Sequence, residues 1–194
     1  MYVEVISGSI IDPQLLGRQE DRWTAEFKPL CQGLLGAMTG NTLNGRSLAV
    51  FRFESEADAR ALTGRGDHTS WWNEYVKAFD DDFVVRRYSD IDLFVDEDFE
   101  RAGFVAVVQG NARDVAMMKE RNVDFAAEFR AFGPGILGML VAWDGQGFSN
   151  VMYFEREQDA RDIEASTDLE QLDQFLRLMD GDPTYFELPT PVTR

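Results

Sequence analysis

The sequence predicts an α+β protein built from two copies of a βαββαβ unit, and three observations carry that expectation. "AEFKPLCQGLLG" at 25–36 aligns with "AEFRAFGPGILG" at 127–138, and "VFRFESEADAR" at 50–60 aligns with "VMYFEREQDAR" at 151–161. The offset falls from 102 to 101 between these blocks, beside "NTLNG" and "WDGQG", where a hairpin turn can absorb one residue. Each copy also carries the same order of strand, helix and turn signals. Copies of roughly 95 residues are too long for solenoid repeats and have the size of a small domain.

The elements follow in order. "YVEVISGSI" and "FVAVVQGNA" open the copies with β-rich stretches. Asp12 and Pro13 read as N-cap and first helical residue, predicting a helix over 13–31 with Leu15, Leu16, Trp23, Phe27 and Leu30 as its apolar stripe. In the second copy Asp114 is the cap, and Val115, Met118, Phe125, Phe129 and Phe132 form the stripe. Gly33 and Gly135 end these helices and feed strands at 34–42 and 136–143. Asn44-Gly45 and Asp144-Gly145 are hairpin signals, leading to strands at 47–54 and 148–155. A helical region then opens with "SEADAR" or "REQDAR", and Asp67 and Asp168 are the expected caps of its later part. "FVVRRYSDIDLFV" and "TYFELPTP" supply the closing strands.

The order βαββαβ is a ferredoxin-like split unit, an antiparallel sheet with helices over one face. Its other face needs a cover, so two repeats are expected to pack sheet to sheet as a single-chain, pseudo-dimeric α+β barrel. The domains are then 1–98 and 99–194, joined by the acidic "DEDFERAG" at 96–103, which is expected to be exposed.

Composition narrows the function. A chain that is 44% hydrophobic and 12% aromatic can bury a core and does not read as disordered. A net charge of −16 opposes binding to nucleic-acid phosphates or anionic membranes. No apolar run approaches the roughly 18–20 residues of a membrane span, and "MYVEVISGSI" does not read as a secretory signal. The single cysteine, Cys31, allows no internal disulfide; a cytoplasmic protein is expected, with Cys31 packed rather than reactive. Phosphate-loop, dinucleotide and nucleophile-elbow motifs are missing, and the lone His68 has no Cys or His neighbour for a zinc site, so no metal or cofactor is expected.

Gly-Ile-Leu-Gly, a strand, Asp-Gly, a strand ending Tyr-Phe-Glu and then Asp-Ala-Arg together resemble the antibiotic-biosynthesis-monooxygenase-like branch of the dimeric α+β barrel superfamily. Both halves carry this pattern, at 33–60 and 135–161, so the resemblance spans nearly the whole chain. Within it the chain is similar to uncharacterised tandem members with "WW" after the first "DAR". The resemblance implies that two halves replace two chains, giving a monomeric pseudo-dimer or a weak homo-oligomer. It also implies an activity drawn from cofactor-independent oxygenases, haem-degrading enzymes or proteins without catalysis.

Residues that differ between copies are where an asymmetric site is expected, whereas the shared Asp58, Arg60, Asp159 and Arg161 read as scaffold. If Phe51 and Phe53 pack under helices, period-two alternation sends Arg52 and Tyr153 into the space between the sheets, and Glu4 shares that space. These groups either orient an anionic or phenolic ligand or form a structural Glu–Arg pair. Met38, Asn41, Leu140 and Trp143 are candidates for a mouth or wall. "GRGDHTSWWNEY" at 64–75 becomes "DLEQLDQFL" over its later part in copy two, with His68 and Trp71 facing Leu169 and Leu172. Large side chains covering a helix end explain this exchange. So does chemistry confined to one half, with His68 as base, acid or metal ligand and Trp71 and Trp72 as π surfaces. His68, Arg52 and Tyr153 are therefore the catalytic candidates, and Glu4, Met38, Asn41, Trp71, Trp72 and Trp143 the ligand-binding ones. The haem-degrading pattern fits poorly, because His68 precedes the tryptophans and Ser7 or Ser9 stands where an asparagine belongs in copy one, with Asn111 in copy two. The expected partner is a small aromatic molecule, bound for oxygenation or without catalysis.

Overall fold

The computed structural model describes residues 1–96, 99–131, 135–166 and 169–193. The first repeat runs β1 (Tyr2–Ser9), α1 (Pro13–Arg22), β2 (Leu34–Asn41), β3 (Arg46–Phe53), α2 (Glu56–Thr63), α3 (Gly66–Tyr75) and β4 (Val84–Tyr88). Then come β5 (Asp90–Asp96), β6 (Phe104–Asn111), α4 (Val115–Ala131), β7 (Ile136–Asp144), β8 (Gly147–Phe154), α5 (Glu157–Ser166), α6 (Leu169–Arg177), β9 (Thr184–Leu188) and β10 (Val192–Thr193). Two antiparallel five-stranded sheets result, ordered β10-β2-β3-β1-β4 and β5-β7-β8-β6-β9. Each contains the expected ferredoxin-like four strands.

The fifth strand of each sheet comes from the other end of the repeat pattern. What reads as one closing strand, 83–95, breaks at Ser89, and β5 pairs with β7. Likewise β10 returns to pair with β2. The compact units are therefore residues 1–89 with 192–194, and residues 90–191, so the crossing precedes "DEDFERAG". Within that stretch Phe99 is buried in a short 3₁₀ turn rather than exposed.

Caps and turns explain most boundaries. Leu15 N–H donates to Asp12 Oδ1 at 2.8 Å, and Met117 N–H donates to Asp114 Oδ1 at 3.0 Å, so both expected caps form. The shared Gly33 is demanded by its partner. It has φ +65°, and a Cβ there would lie 2.7 Å from the Asp58 carboxyl; a Cβ on Gly135 would meet Asp159 at 2.6 Å. Asp58 and Asp159 are thus scaffold residues, packed where each first helix ends.

Two local expectations change. The segment 13–31 is not one α-helix: α1 stops at Arg22 and continues as a π-helical turn, Trp23–Phe27, and a 3₁₀ turn, Lys28–Leu30. Nor does Asp67 cap a helix. Arg65 is the N-cap of α3, and Asp67 sits in the first turn, paired with the Arg65 guanidinium at 2.8 and 3.0 Å. Phe132 and Asp168 lie outside the described residues.

The first core lies between one face of its sheet and its helices, joining Ile6, Phe51 and Phe53 to Leu16, Trp23, Phe27, Leu62, Trp71 and Tyr75. The second joins Phe104, Met139 and Phe154 to Ala126, Ala160 and Ile163. No described helix is long and apolar enough to cross a membrane.

Candidate functional site

Strand register decides what faces the helices of the first unit. Glu4 lies opposite Phe51 on β3 and opposite Arg87 on β4, so all three share the helix-covered face. Above them the π-helical turn carries Trp23 and Phe27 inward. Such turns are rare in α-helices and frequent at functional sites. In the second unit α4 runs straight through the corresponding positions, so this turn belongs to one half only.

Between this face and the helices lies a cavity of about 180 Å³. Its apolar wall includes Trp23, Phe51, Phe53, Trp71 and Trp72; its polar lining includes His68, Glu4 and Arg87, with Leu62 and Thr63 bringing in the end of α2. A void of about 20 Å³ adjoins the same Trp23, Phe51 and Trp71 side chains.

The aromatic wall is closely packed. Trp23 meets Phe51 edge-on, with ring centroids 5.0 Å apart. Trp71 stacks on Tyr75 at 5.0 Å, and its indole N–H donates to the Gln19 carbonyl at 2.9 Å. Trp72 is half-buried and packs on Phe83.

His68 is 6% exposed, its imidazole edge-on to Phe27 at 5.3 Å and 5.0 Å from the Trp71 ring. Burial pushes its pKa below the usual 6.5, because these rings cannot solvate an imidazolium; nearby Asp67 only partly offsets this. The side chain is therefore a neutral imidazole at pH 7, able to accept a proton from a molecule in the cavity.

Glu4 and Arg87 close the polar end, with Arg87 Nε donating to Glu4 Oε1 at 3.0 Å. The Glu4 side chain is only 11% exposed, that of Arg87 56%.

Four of the sequence candidates therefore meet: Glu4, His68, Trp71 and Trp72. Arg52 does not join them. It pairs with Val3 on the opposite face of the same sheet, buried, and Glu4 does not share its side as alternation had suggested. Met38 lies on that opposite face too, across from Val50. Asn41 is exposed at the end of β2. Tyr153 and Trp143 belong to the second unit. Tyr153 is buried on the face away from the helices, where a Cβ on Gly138 would come within 2.9 Å of its ring. Trp143 is buried on the helix side, and its indole N–H donates to Asp92 Oδ2 at 2.8 Å. Sequence reasoning missed Arg87 and Trp23. The signal for Arg87 was available, since "VVRRY" aligns with "TYFEL" and places Arg87 over Glu187, a charge reversal at one sheet position.

Cys31 is half-buried; its Sγ–H donates to the Phe27 carbonyl at 3.3 Å, and burial pushes its pKa up to about 11.

No family model matches the chain, and no curated protein does. Solved structures do. A candidate monooxygenase from Fusobacterium nucleatum superposes with TM-score 0.77 at 10% identity, over 97% of this chain and 91% of its own. One from Lactobacillus acidophilus gives 0.71 at 12% identity, covering 99% and 95%. An anthrone oxidase-like protein gives 0.68 at 9% identity, covering 100% and 92%. At such identities the likeness concerns fold alone. The chain has the tandem ferredoxin-like fold of the antibiotic-biosynthesis-monooxygenase-like proteins.

Proposed function

We propose that this protein binds a small aromatic molecule in the pocket of its first unit and oxygenates it without a bound cofactor. The observation that carries the reading is the meeting of three tryptophans and a neutral, buried histidine around one cavity, at positions where the second copy has Phe125, Leu172, Asp173 and Leu169. About 180 Å³ is below the ~300–1,000 Å³ of sites for drug-sized ligands, which suits a molecule of two or three fused rings. The tryptophans supply π surface and His68 takes an acidic proton of the ring system, a phenolic O–H or, in anthrone, a C–H of the ring methylene, whose loss gives the enolate. The aryloxide or enolate so formed is electron-rich enough to reduce dioxygen directly. With anthrone, the ring methylene becomes a carbonyl: one O₂ is consumed, one oxygen atom stays in the product, and the other leaves as water with the two hydrogens. Haem suits the pocket less well, because the cavity is too small for a tetrapyrrole and His68 packs between rings rather than standing clear as an axial ligand.

The test is oxygen uptake with anthrone as substrate, comparing the wild type with His68→Gln. Turnover above the spontaneous rate that falls at least a hundredfold in the variant supports the reading. A second reading, ligand binding without catalysis, is favoured by the close packing of the imidazole between Phe27 and Trp71. It gains if anthrone quenches tryptophan fluorescence while oxygen uptake stays at background.

A further inference from the structure

The polar end of the pocket specifies more than an aromatic ligand. Arg87 is held through Nε by Glu4, its Cα partner on the neighbouring strand, and its two Nη nitrogens make no hydrogen bond to a described residue. A guanidinium fixed at Nε presents its Nη edge in one orientation, the geometry that takes a carboxylate through two parallel hydrogen bonds. The second unit shows the same position closed. There Ala106 replaces Glu4 and Glu187 replaces Arg87 as the Cα pair. Both Glu187 oxygens are bound by Arg161, at 2.6 and 3.0 Å, and Arg161 also lies over the Phe104 ring. Arg60, the counterpart of Arg161, binds Glu56 at 2.6 and 2.9 Å, as Arg161 also binds Glu157, but meets no carboxylate at the sheet position of Glu187, and the first site stays open. One copy thus presents a free cationic edge where the other presents a saturated carboxylate.

We infer that the pocket selects aromatic acids: the ring system lies against the tryptophans while a carboxylate on it is held by the Nη edge of Arg87, with Glu4 as the positioning residue. This rests on the pocket reading above and adds a substrate class to it.

The probes are 2-naphthoate and its neutral isostere naphthalene-2-carboxamide, titrated against the full chain by calorimetry. The wild type is expected to bind the naphthoate at least tenfold more tightly than the amide. Arg87→Gln should erase that preference by weakening the naphthoate at least tenfold, and Arg87→Lys should restore part of it. Because the Arg87 side chain is largely solvent-exposed, neither variant removes core packing. Thr63→Trp, which fills the cavity from the end of α2, should abolish binding of both probes. Equal wild-type affinities, or a preference that survives in Arg87→Gln, overturn the aromatic-acid assignment and leave the pocket reading standing. Failure of both probes to bind, or binding that persists in Thr63→Trp, overturns both.

Discussion

The indole N–H of Trp71 donates to the main-chain carbonyl of Gln19, 2.9 Å away, tying α3 to the end of α1. The same carbonyl accepts the backbone N–H of Trp23, where the α-helix gives way to the π-helical turn. One oxygen therefore anchors two members of the apolar wall, Trp71 through its indole and Trp23 through its main chain.

Removing that anchor tests its energetic weight. Trp71→Phe keeps an aromatic ring but loses the donor and some buried volume. The Gln19 carbonyl keeps its main-chain bond, so the lost hydrogen bond accounts for about 1 kcal/mol and the lost packing for a similar amount. Urea unfolding should show a drop of about 1–3 kcal/mol. A change under about 0.5 kcal/mol would mean that the bond contributes nothing net.

His68 gives the first unit a pH dependence of defined sign. Its folded pKa lies below the 6.5 of an unfolded chain, so the unfolded state binds the proton more readily. Its contribution is fully present above about pH 6.5 and is lost as pH falls through the folded value. The carboxylates held low by partners, Asp67, Asp82, Asp159 and Glu187, lose their contributions only as pH falls below about 4.5. Melting temperatures measured between pH 7.5 and 5 should fall in the wild type and fall less in His68→Leu, the residue of the second copy. Parallel curves would remove His68 as the source.

Gly33 and Gly45 separate backbone strain from steric overlap. Both have positive φ, +65° and +80°, but a Cβ on Gly45 meets nothing within 4 Å, whereas one on Gly33 collides with Asp58. Gly45→Ala should cost about 1–2 kcal/mol, the usual penalty for the left-handed region. Gly33→Ala should cost measurably more, because Asp58 must move as well. Equal losses in chemical denaturation would show that Asp58 yields freely.

Cys31 should be sluggish toward iodoacetamide. With its pKa at about 11 and its side chain half-buried, little thiolate exists at pH 8, so alkylation should run at least tenfold slower than for free cysteine. A rate matching the free thiol would contradict the packed role.

Much of the fold was legible because its signals are local. The Asp12 and Asp114 caps, the Asn44-Gly45 and Asp144-Gly145 turns and the alternation along 50–54 each act within a few residues. The duplication then required each element to make sense twice. Part of the site was legible for the same reason: His68, Trp71 and Trp72 stood out as residues the second copy lacks, and the condition set on Phe51 and Phe53, that they pack under helices, is met.

What the sequence by itself determined is the βαββαβ order within each repeat, the duplication and the two helix-covered sheets. Tertiary structure alone decided which sheet edge receives residues 90–96 and 192–193, since strand alternation fits either edge and backbone pairing carries no address. It also decided the side on which Glu4 lies. Register between β1 and β3 sets that, and a shift of one residue carries a side chain to the other face, so reasoning within one strand placed Glu4 beside Arg52 whereas pairing places it beside Phe51 and Arg87. The same long-range pairing joins Glu4 to an arginine 83 residues away and gives the pocket its cationic edge.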